Sequence, residues 1–195
     1  MRYMIAIAGA ALLAATPAAS AVFVFDATMN GATEVPPNAS PATGFSEVTY
    51  DSTTDALAVD LTWAGLIGGN PAASHIHCCS APGTNVNVAL AFPGFPATTS
   101  GSYFHVFNLL DPSVYTSSFL TNFGGGTAAG ARTALVNGLT AGEAYTNIHN
   151  SVFPGGEIRG QLAPVPEPAS WAMMIAGFGL LGGAFRIRRQ LLAHS

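Results

Sequence analysis

Along the middle of the chain, apolar and polar positions alternate in short runs separated by turn residues. Residues 45–50 and 57–63 alternate in this way, and Asp51-Ser52-Thr53-Thr54-Asp55 supplies turn chemistry between them, which predicts a hairpin. Leu57, Val59, Leu61 and Trp63 fall on one face and Ala58, Asp60 and Thr62 on the other, the pattern of a sheet half buried on a core. Further strands are predicted at 22–27, 74–79, 87–92, 101–109, 143–149 and 157–162, the last two forming a closing hairpin around Pro154-Gly155-Gly156. Residues 34–38 read as a loop, because Pro36 and Pro37 exclude a central strand. Two short helices interrupt the pattern. One starts at Asp111-Pro112, carries Tyr115, Phe119 and Phe123 at a spacing of four and stops at Gly124; the other runs from Thr127 to Asn137 and ends at Gly138. Short strands with mostly local connections predict an all-β, antiparallel sandwich or barrel with short helical insertions.

The two ends have a different composition. Arg2, the apolar run 4–13 and Ala19-Ser20-Ala21 predict a signal peptide over 1–21, with a helical apolar segment and cleavage after Ala21. At the other end, 169–185 is apolar and uncharged and is followed by Arg186, Arg188 and Arg189, which predicts a transmembrane helix with its basic flank in the cytoplasm. Between them, residues 22–163 have the length of one ordinary domain. That domain has no lysine, and its two arginines, Arg132 and Arg159, face nine carboxylates, a net charge of −7 that repels phosphate backbones and excludes a nucleic-acid partner.

The chemistry concentrates in Ser74-His75-Ile76-His77-Cys78-Cys79. On a strand His75, His77 and Cys79 share one side, with Ile76 and Cys78 on the other. The two histidines either bond to loop backbone at the strand end or hold a metal; a third ligand decides between these. Strand 143–149 offers one, because it places Tyr145, Asn147 and His149 on one face, and His75, His77 and His149 are the candidate metal ligands, for copper or zinc. His105, flanked by Phe104 and Val106, reads as packing and stays outside the site. Cys78 and Cys79 are the only thiols of an exported chain, so they pair with each other, bridge two chains, bind metal or remain oxidisable. Adjacent Cα atoms across a trans peptide lie about 3.8 Å apart, below the usual ~4.4–6.8 Å of a disulfide. The reading adopted is a strained vicinal disulfide that ends the histidine strand, with thiolate ligation beside the histidines as the alternative. No Gly-x-Ser-x-Gly elbow, phosphate loop, dinucleotide fingerprint or His-Glu-x-x-His motif occurs, so no catalytic residue is assigned and an enzyme is not expected.

Glu34-Val35-Pro36-Pro37-Asn38, Ser74-His75-Ile76-His77, Thr99-Ser100-Gly101, Tyr145-Thr146-Asn147-Ile148-His149 and Pro154-Gly155-Gly156-Glu157-Ile158-Arg159-Gly160-Gln161-Leu162 together resemble the CHRD domain, named after chordin, in its bacterial form. The resemblance covers nearly all of residues 26–162, within the domain 22–163, and implies an immunoglobulin-like β-sandwich in a secreted setting, with no defined molecular activity and no role for Cys78-Cys79. The His-x-His strand with a distant histidine is also similar to the copper site of superoxide dismutases. Residues 164–189 resemble the PEP-CTERM sorting segment through Pro166, Glu167, Pro168 and Trp171, the apolar span and the basic cluster, with 190–195 as a tail. That resemblance implies processing by an exosortase-type peptidase, transient anchoring in the inner membrane and delivery to the cell surface or an exopolysaccharide matrix. The function expected is therefore an exported binding or structural module, whose partners would be exopolysaccharide or surface proteins; the alternative is a metal-binding or redox-active protein using the three histidines.

Overall fold

The computed structural model describes residues 21–166. The expected signal helix, the 169–185 span, and Glu167, Pro168, Trp171, Arg186, Arg188 and Arg189 lie outside the described residues. Among the described residues no helix is long and apolar enough to cross a membrane.

Among the described residues nine strands form the framework: β1 (Val22–Asn30), β2 (Thr43–Asp51), β3 (Ala56–Ala64), β4 (Pro71–His77), β5 (Val88–Ala91), β6 (Gly101–Asn108), β7 (Tyr145–Asn150), β8 (Ile158–Gln161) and β9 (Ala163–Pro164). They follow one hydrogen-bonded path, β5-β4-β7-β8-β1-β2-β3-β6, with β9 beside β1. Every ladder is antiparallel. The sheet curls. Ser46 of β2 and Thr146 of β7 are not on neighbouring strands, yet their hydroxyls meet at 3.1 Å inside the molecule.

The alternation of the sequence decides which face of each strand is buried. In β3, Leu57, Val59, Leu61 and Trp63 are buried while Asp60, Thr62 and Ala64 are exposed, and Tyr50 stands opposite Leu57 as the predicted hairpin requires. Phe25, Ala27 and Met29 of β1, Val48 and Tyr50 of β2, and Ile76 and Ile148 of the far half join the same core. Each large aliphatic side chain taken fully out of water stabilises the fold by roughly 1.5–3 kcal/mol.

Both helical predictions need correction. The segment from Asp111 is a 3-10 turn, Pro112–Val114, followed by a separate helix α1, Ser117–Asn122. Tyr115 and Thr116 between them are held to β5: Thr116 N donates to Ala89 O at 3.0 Å, Thr116 Oγ1 donates to Val88 O at 2.5 Å, and the same hydroxyl caps Phe119 N. These tertiary bonds outweigh a continuous helix, although Tyr115, Phe119 and Phe123 still stack in series. The second helix, α2, spans Ala128–Thr140 and passes through Gly138. It stops at Gly142, whose φ of +70° suits glycine alone at that position, and whose N–H bonds back to Leu139 O. Gly138 has a different reason to be small: a Cβ there would lie 2.2 Å from Cys78 Sγ. Ala131, Leu135, Gly138 and Leu139 form the buried stripe of α2.

Candidate metal centre

β4 and β7 are neighbours, with Ala73 opposite His149, His75 opposite Asn147 and His77 opposite Tyr145. On both strands these residues point away from the apolar core, and the side chains of His75, His77 and His149 converge there. Each offers a ring nitrogen, and the three nitrogens lie within 4.8 Å of one another. The ring centroids are 5.1–6.0 Å apart.

Backbone carbonyls orient two of the rings. His77 Nδ1 lies 2.7 Å from Val86 O, and His149 Nδ1 lies 2.9 Å from Pro154 O. A carbonyl only accepts, so both Nδ1 atoms carry the proton and both lone pairs sit at Nε2. His77 also stacks on Tyr145 at 4.6 Å with 7° between the planes, which fixes the ring in a second direction. His77 Nε2 and His75 Nδ1 are buried and make no hydrogen bond of ordinary geometry, although the Asn147 amide is close enough to His77 to favour its protonated form weakly. His149 Nε2 faces Asn147 Oδ1 at 2.9 Å. Two acceptors repel, so either the amide turns its NH2 inward or a cation takes the lone pair.

Protons are disfavoured as that cation. Burial lowers the pKa of His75 to about 4, helped by the neighbouring His149 and His77, and burial lowers that of His77 to about 4 as well. His149 is also lowered, by burial first and by the nearby Arg159 charge. The cluster is therefore neutral near pH 7 and presents lone pairs, the state a metal needs.

Behind the histidines lies a charged layer. Arg159 stands opposite both Asn147 on β7 and Asn30 on β1, 3% exposed, with its guanidinium 3.9 Å above the Tyr145 ring. Its Nε meets Glu34 Oε2 at 3.0 Å, and its outer nitrogens donate to Thr84 O and Asn85 Oδ1. Glu34 is 2% exposed, and burial raises its pKa despite the opposing pull of Arg159. Gly156 is required beside it: at a φ of +127°, its Cα is so close that an added Cβ would strike the Glu34 carboxylate. Glu157, fully buried, ties down the adjacent loops by accepting from Ile67 N, Gly68 N, Ser40 Oγ and the Asn150 amide.

Cys78 and Cys79 are bonded to each other, and β4 ends at His77 immediately before them. The peptide between them is cis and their Cα atoms are 3.1 Å apart, rather than the ~3.8 Å of the trans peptide assumed from sequence. Cys78 is buried in the core, and both sulfurs pack on α2 at Gly138, so Cys79 leaves the histidine face and neither sulfur joins the histidine group. His105 lies on β6, away from the cluster, with its ring against Tyr103 and Phe107.

Sequence reasoning did not assign Glu34, Tyr145 or Arg159 to the site. For Arg159 the available signal was scarcity: it is one of only two arginines between 22 and 163, a span without lysine. Arg132 is also paired, 3.2 Å from Asp55.

No curated protein and no solved structure matches the chain. A model of the PEP-CTERM protein-sorting motif matches residues 164–189, which marks an exported, cell-surface protein and implies processing by an exosortase. The CHRD domain model matches residues 25–162, which take in most of the sheet and its histidine face, and the chain belongs to the CHRD-domain family.

Proposed function

We propose that the exported domain is a binding module rather than an enzyme, and that its histidine face binds a transition-metal ion, copper or zinc, through His75, His77 and His149. The observation that carries this reading is the convergence of three buried or half-buried ring nitrogens within 4.8 Å, two of them with the opposite nitrogen held by a carbonyl. Metal-ligating histidines almost always have their other N–H held in that way. Copper and zinc bind imidazole at about 2.0–2.1 Å, so tetrahedral ligand nitrogens stand about 3.4 Å apart. Small ring rotations close the gap. Three imidazoles with no carboxylate suit copper or zinc and disfavour calcium or magnesium, which take oxygen.

The meeting of Ser46 and Thr146 across the curl supports reading the sheet as an immunoglobulin-like or superoxide-dismutase-like sandwich. In the same reading the mature chain starts after Ala21, residues 22–163 form the domain, and the segment 164–189 directs it to the surface or an exopolysaccharide matrix before its apolar 169–185 span is removed. The test is metal analysis of the surface protein beside His75→Ala and His149→Ala variants, each checked for folding by circular dichroism. The reading expects one copper or zinc per chain, reduced in both variants. Equal metal content in all three proteins overturns it.

A further inference from the structure

The cluster has three ligands. Among the described residues no carboxylate or thiolate joins it, and the two cysteine sulfurs are bonded to each other against α2. Copper and zinc take four or more ligands; the one further side-chain oxygen among the described residues that faces the cluster, Asn147 Oδ1 at 2.9 Å from His149 Nε2, is a neutral amide of the kind that suits magnesium, calcium or manganese, so three imidazoles leave a position for an exogenous ligand. The burial is uneven: His77 is 8% exposed, whereas His75 and His149 are half-buried, so the group is closed on the His77–Tyr145 side and open to solvent on the other.

Charge narrows the class of ligand. Three neutral imidazoles leave a bound divalent ion with its full charge, and the nearest fixed charges, Glu34 and Arg159, are already paired with each other. His77 Nε2 and His75 Nδ1 are buried, so only a ligand of a few atoms reaches an ion held there.

We propose that the three-histidine centre is coordinatively open and binds a small anion directly on the metal. The step is ligand exchange: the anion donates a lone pair to the metal, a solvent molecule leaves, and no electron moves. This rests on the metal reading above, and the two fail separately.

The mature protein is loaded with one equivalent of copper(II), desalted, and titrated with azide while absorption and electron paramagnetic resonance are followed. The expected result is a new azide-to-copper absorption band that saturates at one azide per copper, with a parallel shift of the resonance. Copper lost on desalting, with zinc lost in the same way in a parallel loading, overturns the metal reading itself. Copper retained, with both spectra unchanged in a large excess of azide, overturns the open position and leaves the metal reading standing.

Discussion

His75 and His77 acquire their properties from two neighbours each. Alternation puts them on one side of β4, and the adjoining strand β7 supplies His149 and closes the water out, so burial lowers the first two to about 4. A histidine whose folded pKa lies below the unfolded ~6.5 contributes stability that is complete above pH 6.5 and lost as pH falls toward 4. Metal-free protein should therefore lose stability across that window, and His75→Gln should flatten the slope; urea midpoints at several pH values measure it, and parallel slopes in both proteins would contradict it. Glu34 and Arg159 make a second residue-scale case. Their ion pair is almost fully buried, and Glu34→Ala leaves Arg159 charged and uncompensated, a loss of about 3–5 kcal/mol. Chemical denaturation reads that loss, and a change below about 1 kcal/mol would show that Arg159 finds water instead.

Among the elements, the β2–β3 hairpin was legible because strict alternation and an Asp-rich turn act within a few residues of each other. The face of β7 that carries His149 was legible for the same reason. That β4 lies beside β7 was not, because sequence gives a strand's faces but not its neighbours across nearly seventy residues. Glu34, Arg159 and Glu157 were missed at the site because charged residues ordinarily lie at the surface, and only the packed structure supplies the partners that let them be buried. The helices failed where long-range contacts outweighed local propensity: β5 holds Thr116 and splits one expected helix, and Gly138 looked like a stop when it is a point of close approach. Gly138→Ala tests that assignment. The new methyl would collide with Cys78 Sγ, and overpacking of this kind costs about 1–3 kcal/mol, whereas at an ordinary exposed helix position the same change would stabilise. Thermal unfolding decides by the sign of the shift.

At the scale of the molecule, the curled antiparallel sheet presents the histidine layer on β4 and β7, while α1 and α2 pack elsewhere on the core. Export and sorting place that layer outside the cell, where no nucleic acid or cytosolic thiol pool competes for it. If the sorting segment is processed, surface material should end near Pro166-Glu167-Pro168 and lack Trp171 and everything beyond; an intact mass extending through Ser195 would count against that. The central claim is that three imidazoles on one sheet face hold one metal. Pulsed electron paramagnetic resonance of the copper(II)-loaded mature protein counts coordinated imidazoles directly through their remote ring nitrogens. The account predicts three, falling to two in His149→Ala, and a spectrum with no imidazole signal, or one that His149→Ala leaves unchanged, would contradict it.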